Sequence, residues 1–383
     1  MKRYSQQNLS DCDIEAVVNV LQSDYLTQGP KVSEFEDVVS SYTGAKYAVA
    51  VNSATSALHL ACLGLGLKQG DIVWTVPNTF VASSSCAIHC GAVVDFVDID
   101  PDTFNISVDQ LKKKLLTSKI NGALPKILVP VHFAGCPVDL EEIFELSEEF
   151  NFRVLEDASH ALGAQYKNSK VGSCKYSEAA VFSFHPVKNI TSGEGGMITT
   201  NSHDVYKRAK MLGSHGINRD FDCLTSGEQP VPWYYEQLEV GWNYRLSDIH
   251  AALGISQMKK LDNFRSLKFS IAEKYKRSLL GLPFDFQVVQ DDRSSGLHLF
   301  VLKLNEINSQ LGLYNHLQSK GIGVGIHYIP LHEHPIYKKF GFKRGMFPVS
   351  EEFYRKTLSI PFHPYLSKKD QDFIIRSIKS FFS

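Results

Sequence analysis

Ala179-Ala180-Val181-Phe182-Ser183-Phe184-His185-Pro186-Val187-Lys188 is an apolar, strand-like run that ends in a lysine, and Thr191-Ser192-Gly193-Glu194-Gly195-Gly196 follows it. A lysine set among apolar and Gly-rich sequence is placed to lose water and to stay partly neutral at pH 7, a condition for Schiff-base formation. Earlier in the chain Phe152-Arg153-Val154-Leu155-Glu156-Asp157 is a second β-type run, ending in an acid and followed by Ala158-Ser159-His160-Ala161. An acid and a lysine at the ends of two nearby strands suggest pyridoxal 5′-phosphate (PLP).

Working outward, further apolar runs lie at 47–51, 72–76, 93–97, 127–131 and 196–200, separated by amphipathic segments at 54–66, 79–89, 107–116, 138–149 and 203–212. Such alternation predicts an α/β domain with a mainly parallel sheet, whose ligands gather at the carboxyl ends of the strands. A helical stretch is expected from about 245 to about 280, broken at Gly281-Leu282-Pro283. Beyond it, strand-like 298–303, a helix over 309–320, a strand-like 322–329 and a helix over 367–381 predict a small α+β domain. The expected division is 1–250, a large cofactor-binding domain with an N-terminal substrate-lining segment, and 251–383, a linking helix and small domain.

The 383 residues exceed the usual size of one hydrophobic core. A net charge of −1, from 40 basic and 41 acidic residues, offers no field for nucleic acid or an anionic membrane. The first residues lack an apolar signal region and no run of 18 apolar residues occurs, so a soluble cytoplasmic protein acting on small molecules is expected. Seven cysteines without framework spacing read as reduced thiols. Cys86 and Cys90 lack a second ligand pair for zinc. His327, His332, Glu333 and His334 do not fit a helical His-Glu-x-x-His motif, because Pro330 and Pro335 interrupt the segment, so no metal is expected.

Ser53 reads as the N-cap of a helix opening at Ala54, where free N–H groups and the helix dipole make an anion site. Alone this is an ordinary capped helix; with Asp157, Ser183 and Lys188 a phosphate site is the better reading. Asp157 alone could be a solvated strand end. Against a pyridine nitrogen its charge would keep that nitrogen protonated. His160 could hydrogen-bond a phenolic oxygen or sit in the core. Near Gly241-Trp242-Asn243-Tyr244-Arg245, Asn243 would suit a phosphate and Arg245 a carboxylate.

The chain resembles, over nearly its full length, the DegT/DnrJ/StrS-type nucleotide-sugar aminotransferases, PLP enzymes of fold type I. The landmarks are Asp24-Tyr25-Leu26-Thr27-Gln28-Gly29-Pro30, Asn52 to Leu58, Gly70-Asp71, Asn78-Thr79-Phe80, Val97-Asp98-Ile99-Asp100, Pro130 to Gly135, Glu156-Asp157-Ala158, Gly193-Glu194-Gly195-Gly196 and Gly241 to Arg245. Phe182 to Lys188, Arg208 to Asp220, Trp233 to Gln237 and His327 to Pro330 are similar to the branch that aminates a UDP-linked 4-keto sugar toward pseudaminic acid. The resemblance implies that Lys188 holds PLP, which alternates with pyridoxamine 5′-phosphate, and that Asp157 meets the pyridine nitrogen and His160 the ring oxygen. It further implies phosphate contacts from Ala54, Thr55 and Ser183, stacking by Phe80, and Asn243 reaching the cofactor of a neighbouring subunit in a homodimer with shared active sites. Tyr4, Tyr25, Leu26, Thr27, Gln28, His327, Tyr328, Ile329 and Pro330 would line the nucleotide-sugar site. The implied reaction moves the amino group of L-glutamate to C4 of UDP-2-acetamido-2,6-dideoxy-β-L-arabino-hex-4-ulose. A transaminase for another nucleotide-linked 3- or 4-keto hexose and a non-catalytic PLP-binding regulator are the alternatives. Cys136 stands where relatives often carry Gln.

Overall fold

The computed structural model describes residues 2–219, 224 and 231–383; Asp220 and Cys223 lie outside the described residues. After helices α1 (Asp11–Leu21) and α2 (Pro30–Thr43), strands alternate with helices: β1 (Tyr47–Val51), α3 (Ala54–Gly64), β2 (Ile72–Thr75), α4 (Ala82–His89), β3 (Val93–Phe96), α5 (Val108–Asn121), β4 (Ile127–Leu128), α6 (Leu140–Phe150) and β5 (Arg153–Asp157). A hairpin of β6 (Gln165–Tyr166) and β7 (Ser169–Lys170) precedes β8 (Ala179–Ser183), β9 (Gly196–Thr200) and α7 (His203–Gly213). The large sheet has the order β1-β9-β8-β5-β4-β2-β3. β9 runs antiparallel to both its neighbours, and the other pairings are parallel. The mainly parallel α/β sheet expected from the alternation is therefore present, and the carboxyl ends of β1, β2, β5 and β8 share one edge.

Strand alternation divides the core in two. Val49, Val51, Val73, Leu155, Val181 and Ile198 pack under α3, α4 and α7. On the other face Trp74, Leu128 and Val154 meet α5 and α6, while Ala48, Ala50, Phe182 and Met197 meet α2 and the later helix α8 (Asp248–Met258). Nearly continuous apolar strands are what a sheet covered on both faces requires.

A short antiparallel pair, β10 (Ile217–Asn218) and β11 (Glu236–Gln237), comes before α8. The stretch read as one helix from 245 to 280 is two, α8 and α9 (Leu261–Leu279), with a turn at Lys259-Lys260. The turn is fixed from outside the helices, because the Lys260 ammonium is bonded to Ser10 Oγ at 2.6 Å and pairs with the buried Asp13 carboxylate. The last part has β12 (Phe284–Phe286), β13 (Arg293–Ser294), β14 (Phe300–Leu304), α10 (Ser309–Ser319), α11 (Pro335–Lys339), α12 (Pro348–Lys356), β15 (Thr357–Ile360) and α13 (Lys368–Phe382). β12, β14 and β15 form an antiparallel sheet whose core is shared with α9, α10 and α13. Residues 322–329, expected as a strand, make only isolated bridges, Lys2 to Ile322 and Gly325 to Ser359. Gly323 and Gly325 supply no side chain to hold a longer ladder. The segment instead binds the N-terminal chain through Lys2 N–H to Gly321 O and Gly323 N–H to Lys2 O.

α2 and α8 approach at Gly254, where a Cβ would lie 2.5 Å from Phe35 Cζ, and Phe35 is fully buried against Phe184 at 4.9 Å between ring centroids. Gly254→Val should therefore overpack this contact at a cost of about 1–3 kcal/mol, read as a lower midpoint in thermal or urea unfolding. An unchanged midpoint would show that α2 and α8 are free to separate.

Candidate active site

Four strand ends deliver their residues to a cavity of about 730 Å³. From the end of β1 come Asn52 to Ser56, from the β2–α4 connection Thr79, Phe80 and Ala82, from β5 Asp157, Ser159 and His160, and from β8 Ser183, His185, Val187 and Lys188. Tyr4, Val131, Glu194, His298, His327 and Tyr328 complete the wall.

Lys188 rides on the connection between β8 and β9. That loop folds back on itself through Lys188 N–H to His185 O and Ser192 N–H to Phe184 O. Asn189 fixes its underside, its side-chain amide donating to Leu162 O at 2.9 Å and Gly296 O at 2.8 Å. Protein surrounds the Lys188 amine except where it opens to the cavity. Burial lowers its pKa to about 8, against the opposing pull of Asp157. Roughly a tenth is then the neutral, nucleophilic base at pH 7.

Asp157 is buried and its carboxylate accepts from two sides, from Ser83 Oγ–H at 2.6 Å and from Ser159 N–H at 3.1 Å. His160 packs against His298 at 4.2 Å between ring centroids, the rings tilted by 35°, and its Nε2 is 3.2 Å from the Tyr328 hydroxyl. Burial holds both imidazoles well below their usual pKa, reinforced for His160 by Lys188 and for His298 by His160 and Lys188. His327, bonded through Nδ1 to Ser359 Oγ at 2.9 Å, is lowered to about 4 by burial and by Lys188. These rings are neutral near pH 7.

At the opposite wall α3 begins. Ser53 caps it by accepting from Ser56 N–H at 3.1 Å, and the first intrahelical bond is Ala57 N–H to Ser53 O. The N–H groups of Ala54 and Thr55 come before that bond and have no intrahelical acceptor. β9 passes close beneath, since a Cβ on Gly196 would lie 2.4 Å from Ser53 O.

A phosphate-bearing aldehyde of the PLP type fits these walls. The volume is adequate, the helix start offers N–H groups to an anion, the lysine is partly neutral, and a buried carboxylate faces the same space. Among the described residues His160 Nδ1 is buried without a hydrogen-bond partner, and its position on the cavity wall suits a bond to a ring oxygen.

Of the sequence-derived residues, Tyr4, Ala54, Thr55, Phe80, Asp157, His160, Ser183, Lys188, His327 and Tyr328 border this cavity. Tyr25, Leu26, Thr27, Gln28 and Asn243 do not; they are exposed on another face, where Gln28 and Arg245 flank a separate groove. Ile329 is exposed and Pro330 buried, and neither borders the cavity. Thr79, Ser83, Ser159, Glu194 and His298 were not singled out as site residues from the sequence. Thr79 and Ser83 flank Phe80 at the entry to α4, two hydroxyls readable in the sequence beside an aromatic; His298 was hidden at the start of an apolar strand pattern. Across the 327–334 segment His332 bonds Glu351 at 2.9 Å, with Arg344 near Glu333 and Glu351. No helix among the described residues is long and apolar enough to cross a membrane.

Residues 7–379 match the DegT/DnrJ/EryC1/StrS aminotransferase family. The chain is 39% identical over 378 residues to UDP-4-amino-4,6-dideoxy-N-acetyl-β-L-altrosamine transaminase of Campylobacter jejuni, covering 98% of this chain and 96% of that protein. Among solved structures, Helicobacter pylori PseC, an aminotransferase of pseudoaminic acid biosynthesis, superposes with a TM-score of 0.89 at 30% identity, over 99% of this chain and 98% of that one. The PMP form of a sugar aminotransferase from Streptococcus pneumoniae gives a TM-score of 0.89 at 28% identity, with 99% and 98% covered.

The lowered pKa of Lys188 sets a pH expectation. Condensation of the apoprotein with PLP needs the neutral amine, so its rate should rise with pH and reach half its maximum near pH 8. An ordinary lysine would do so near about 10.4. Stopped-flow absorbance with borohydride trapping and peptide mapping measures both the midpoint and the residue modified; a midpoint near that of free lysine would contradict the burial argument.

Proposed function

The chain belongs to the DegT/DnrJ/EryC1/StrS aminotransferase family, and from that premise we propose that it transfers the amino group of L-glutamate to the C4 ketone of UDP-2-acetamido-2,6-dideoxy-β-L-arabino-hex-4-ulose. The product would be UDP-4-amino-4,6-dideoxy-N-acetyl-β-L-altrosamine. The protein is a PLP-dependent sugar aminotransferase. The joint wall of Lys188, Asp157 and the α3 start supports PLP-dependent transamination, and near full-length similarity to the Campylobacter enzyme supports the finer reading of the sugar.

Bound PLP supplies an electron sink for the carbanion formed at the substrate carbon and carries the amino group between two half-reactions. In this proposal Lys188 anchors the cofactor through Nζ and, once released by the amino donor, removes the proton from the donor Cα. A pKa of about 8 leaves enough free base near neutral pH to do so. Asp157 holds the pyridine nitrogen in its protonated state by charge pairing. Ala54 and Thr55 N–H groups and the Ser183 hydroxyl hold the phosphate, Phe80 covers one ring face, and His160 Nδ1 bonds the phenolic oxygen. Tyr4, His327 and Tyr328 exclude water on the sugar side.

The exposed Tyr25, Leu26, Thr27, Gln28 and Asn243 are proposed to act across a homodimer, with Asn243 reaching the phosphate in the neighbouring subunit and the others meeting the nucleotide sugar there; Ile329 and Pro330 shape the same substrate entrance. Residues 1–250 would bind the cofactor and 251–383 would close the substrate side. The protein is proposed to work in the cytoplasm.

The test is the absorbance of purified protein with PLP, then with L-glutamate, then with the UDP-4-keto sugar. A Schiff-base band that glutamate converts to the pyridoxamine form and the keto sugar restores is expected. Lys188→Ala should abolish turnover, by at least about 10³-fold, as for loss of a reacting group. Restoration by dTDP- or GDP-linked keto sugars but not by the UDP sugar would replace the substrate. A band that does not respond to glutamate would leave a cofactor-holding protein without transamination.

A further inference from the structure

We propose that Ser83 is a positioning residue for the cofactor ring, aiming the Asp157 carboxylate through a hydroxyl relay that starts at Thr79; this rests on the PLP reading of the cavity. Ser83 Oγ lies 2.6 Å from Asp157 Oδ2, and Thr79 Oγ1 lies 2.7 Å from Ser83 Oγ. The direction of both bonds follows from chemistry. An ionised carboxylate only accepts, so the single hydroxyl hydrogen of Ser83 goes to Asp157, and Ser83 must then accept from Thr79. Thr79, Ser83 and Asp157 are 2%, 0% and 5% exposed, so these bonds are made in a buried setting.

The torsion that sets the plane of an aspartate carboxylate is broad and roughly two-fold, and the backbone does not fix it. Here both oxygens are held from the protein side, Oδ2 by Ser83 and Oδ1 by Ser159 N–H at 3.1 Å. The plane of the group that faces the cavity is thereby set before any ligand arrives. The same short segment carries Phe80, whose carbonyl accepts from Ser83 N–H at 3.2 Å. The turn that leads from Thr79 into α4 thus ties the residue proposed to cover the ring face to the residue proposed to meet the ring nitrogen. The neighbouring Ser84 is turned away, its hydroxyl bonded to that of Tyr337, so the position is specific to residue 83.

The experiment compares Ser83→Ala, Ser83→Thr and Thr79→Val with the parent protein, all reconstituted with PLP. Unfolding midpoints come first, then three readouts: the affinity for PLP, the pH midpoint of the bound-cofactor absorbance together with the NMR shift of isotope-labelled ring nitrogen, and the single-turnover rate with glutamate. Loss of a hydrogen bond to a charged group predicts a fall of about tenfold or more in that rate for Ser83→Ala, with a displaced pH midpoint and ring-nitrogen shift. Ser83→Thr keeps the hydroxyl and should restore both, and Thr79→Val should give an intermediate loss. Parent-like spectra and rate in Ser83→Ala would overturn the proposal, as would equal impairment in Ser83→Thr, which would point to packing alone. A parent protein that forms no Schiff-base band would overturn the cofactor reading and this inference together.

Discussion

The parallel pairing of β5 with β8 is the constraint on which the rest of the site depends. It sets Asp157 opposite Val181, and because parallel strands end on the same edge, the carboxylate and the lysine loop that follows Ser183 must meet. The register also separates two adjacent acids. Successive strand side chains point to opposite faces: Asp157 looks into the cavity, while Glu156 bonds His132 Nε2 at 2.8 Å and the Ser177 hydroxyl on the far side. A slip of one residue would exchange them and put the wrong carboxylate at the cavity.

Electrostatics follow from that enclosure. Lys188, His160, His298 and His327 line one cavity; burial lowers the pKa of all four, neighbouring basic groups lower the three imidazoles further, and Asp157 pulls Lys188 the other way. The pocket accordingly holds many potential proton donors and acceptors, with neutral imidazoles around a single lysine that titrates near pH 8. A ligand carrying its own anionic group finds N–H dipoles at the α3 start, which need no counter-ion and lose nothing to deprotonation.

Much of this was legible in the sequence because its signals are local. The strand ending at Asp157, the lysine after β8 and the capped helix at Ser53 each involve a few consecutive residues, and each falls at the cavity. What was not legible depends on partners distant in the chain. The turn between α8 and α9 is set by Ser10 and Asp13, which no helical period in 245–280 reveals. Gly323 and Gly325 leave 322–329 without the ladder its β-branched residues suggest. Ser83 is one of three consecutive serines, Ser83-Ser84-Ser85, and only the fold shows which of them reaches Asp157. Tyr25 to Gln28 and Asn243 were inferred from resemblance, and within one chain they stand apart from the cavity.

The reversed direction of β9 has a consequence for how the lysine is carried. Ser183 is paired with Gly196, and Phe184 N–H bonds Gly195 O, so the residues between leave and rejoin the sheet at one rung. Closure of such a loop is settled by its ends, and its entropic cost grows only slowly with the number of residues it contains. The segment bearing Lys188 is therefore closed at its base by one rung and held below by Asn189; changes at its exposed positions, such as His185, leave the neighbouring strands in alignment. Variation there would retune the chemistry while the sheet beneath stays as it is.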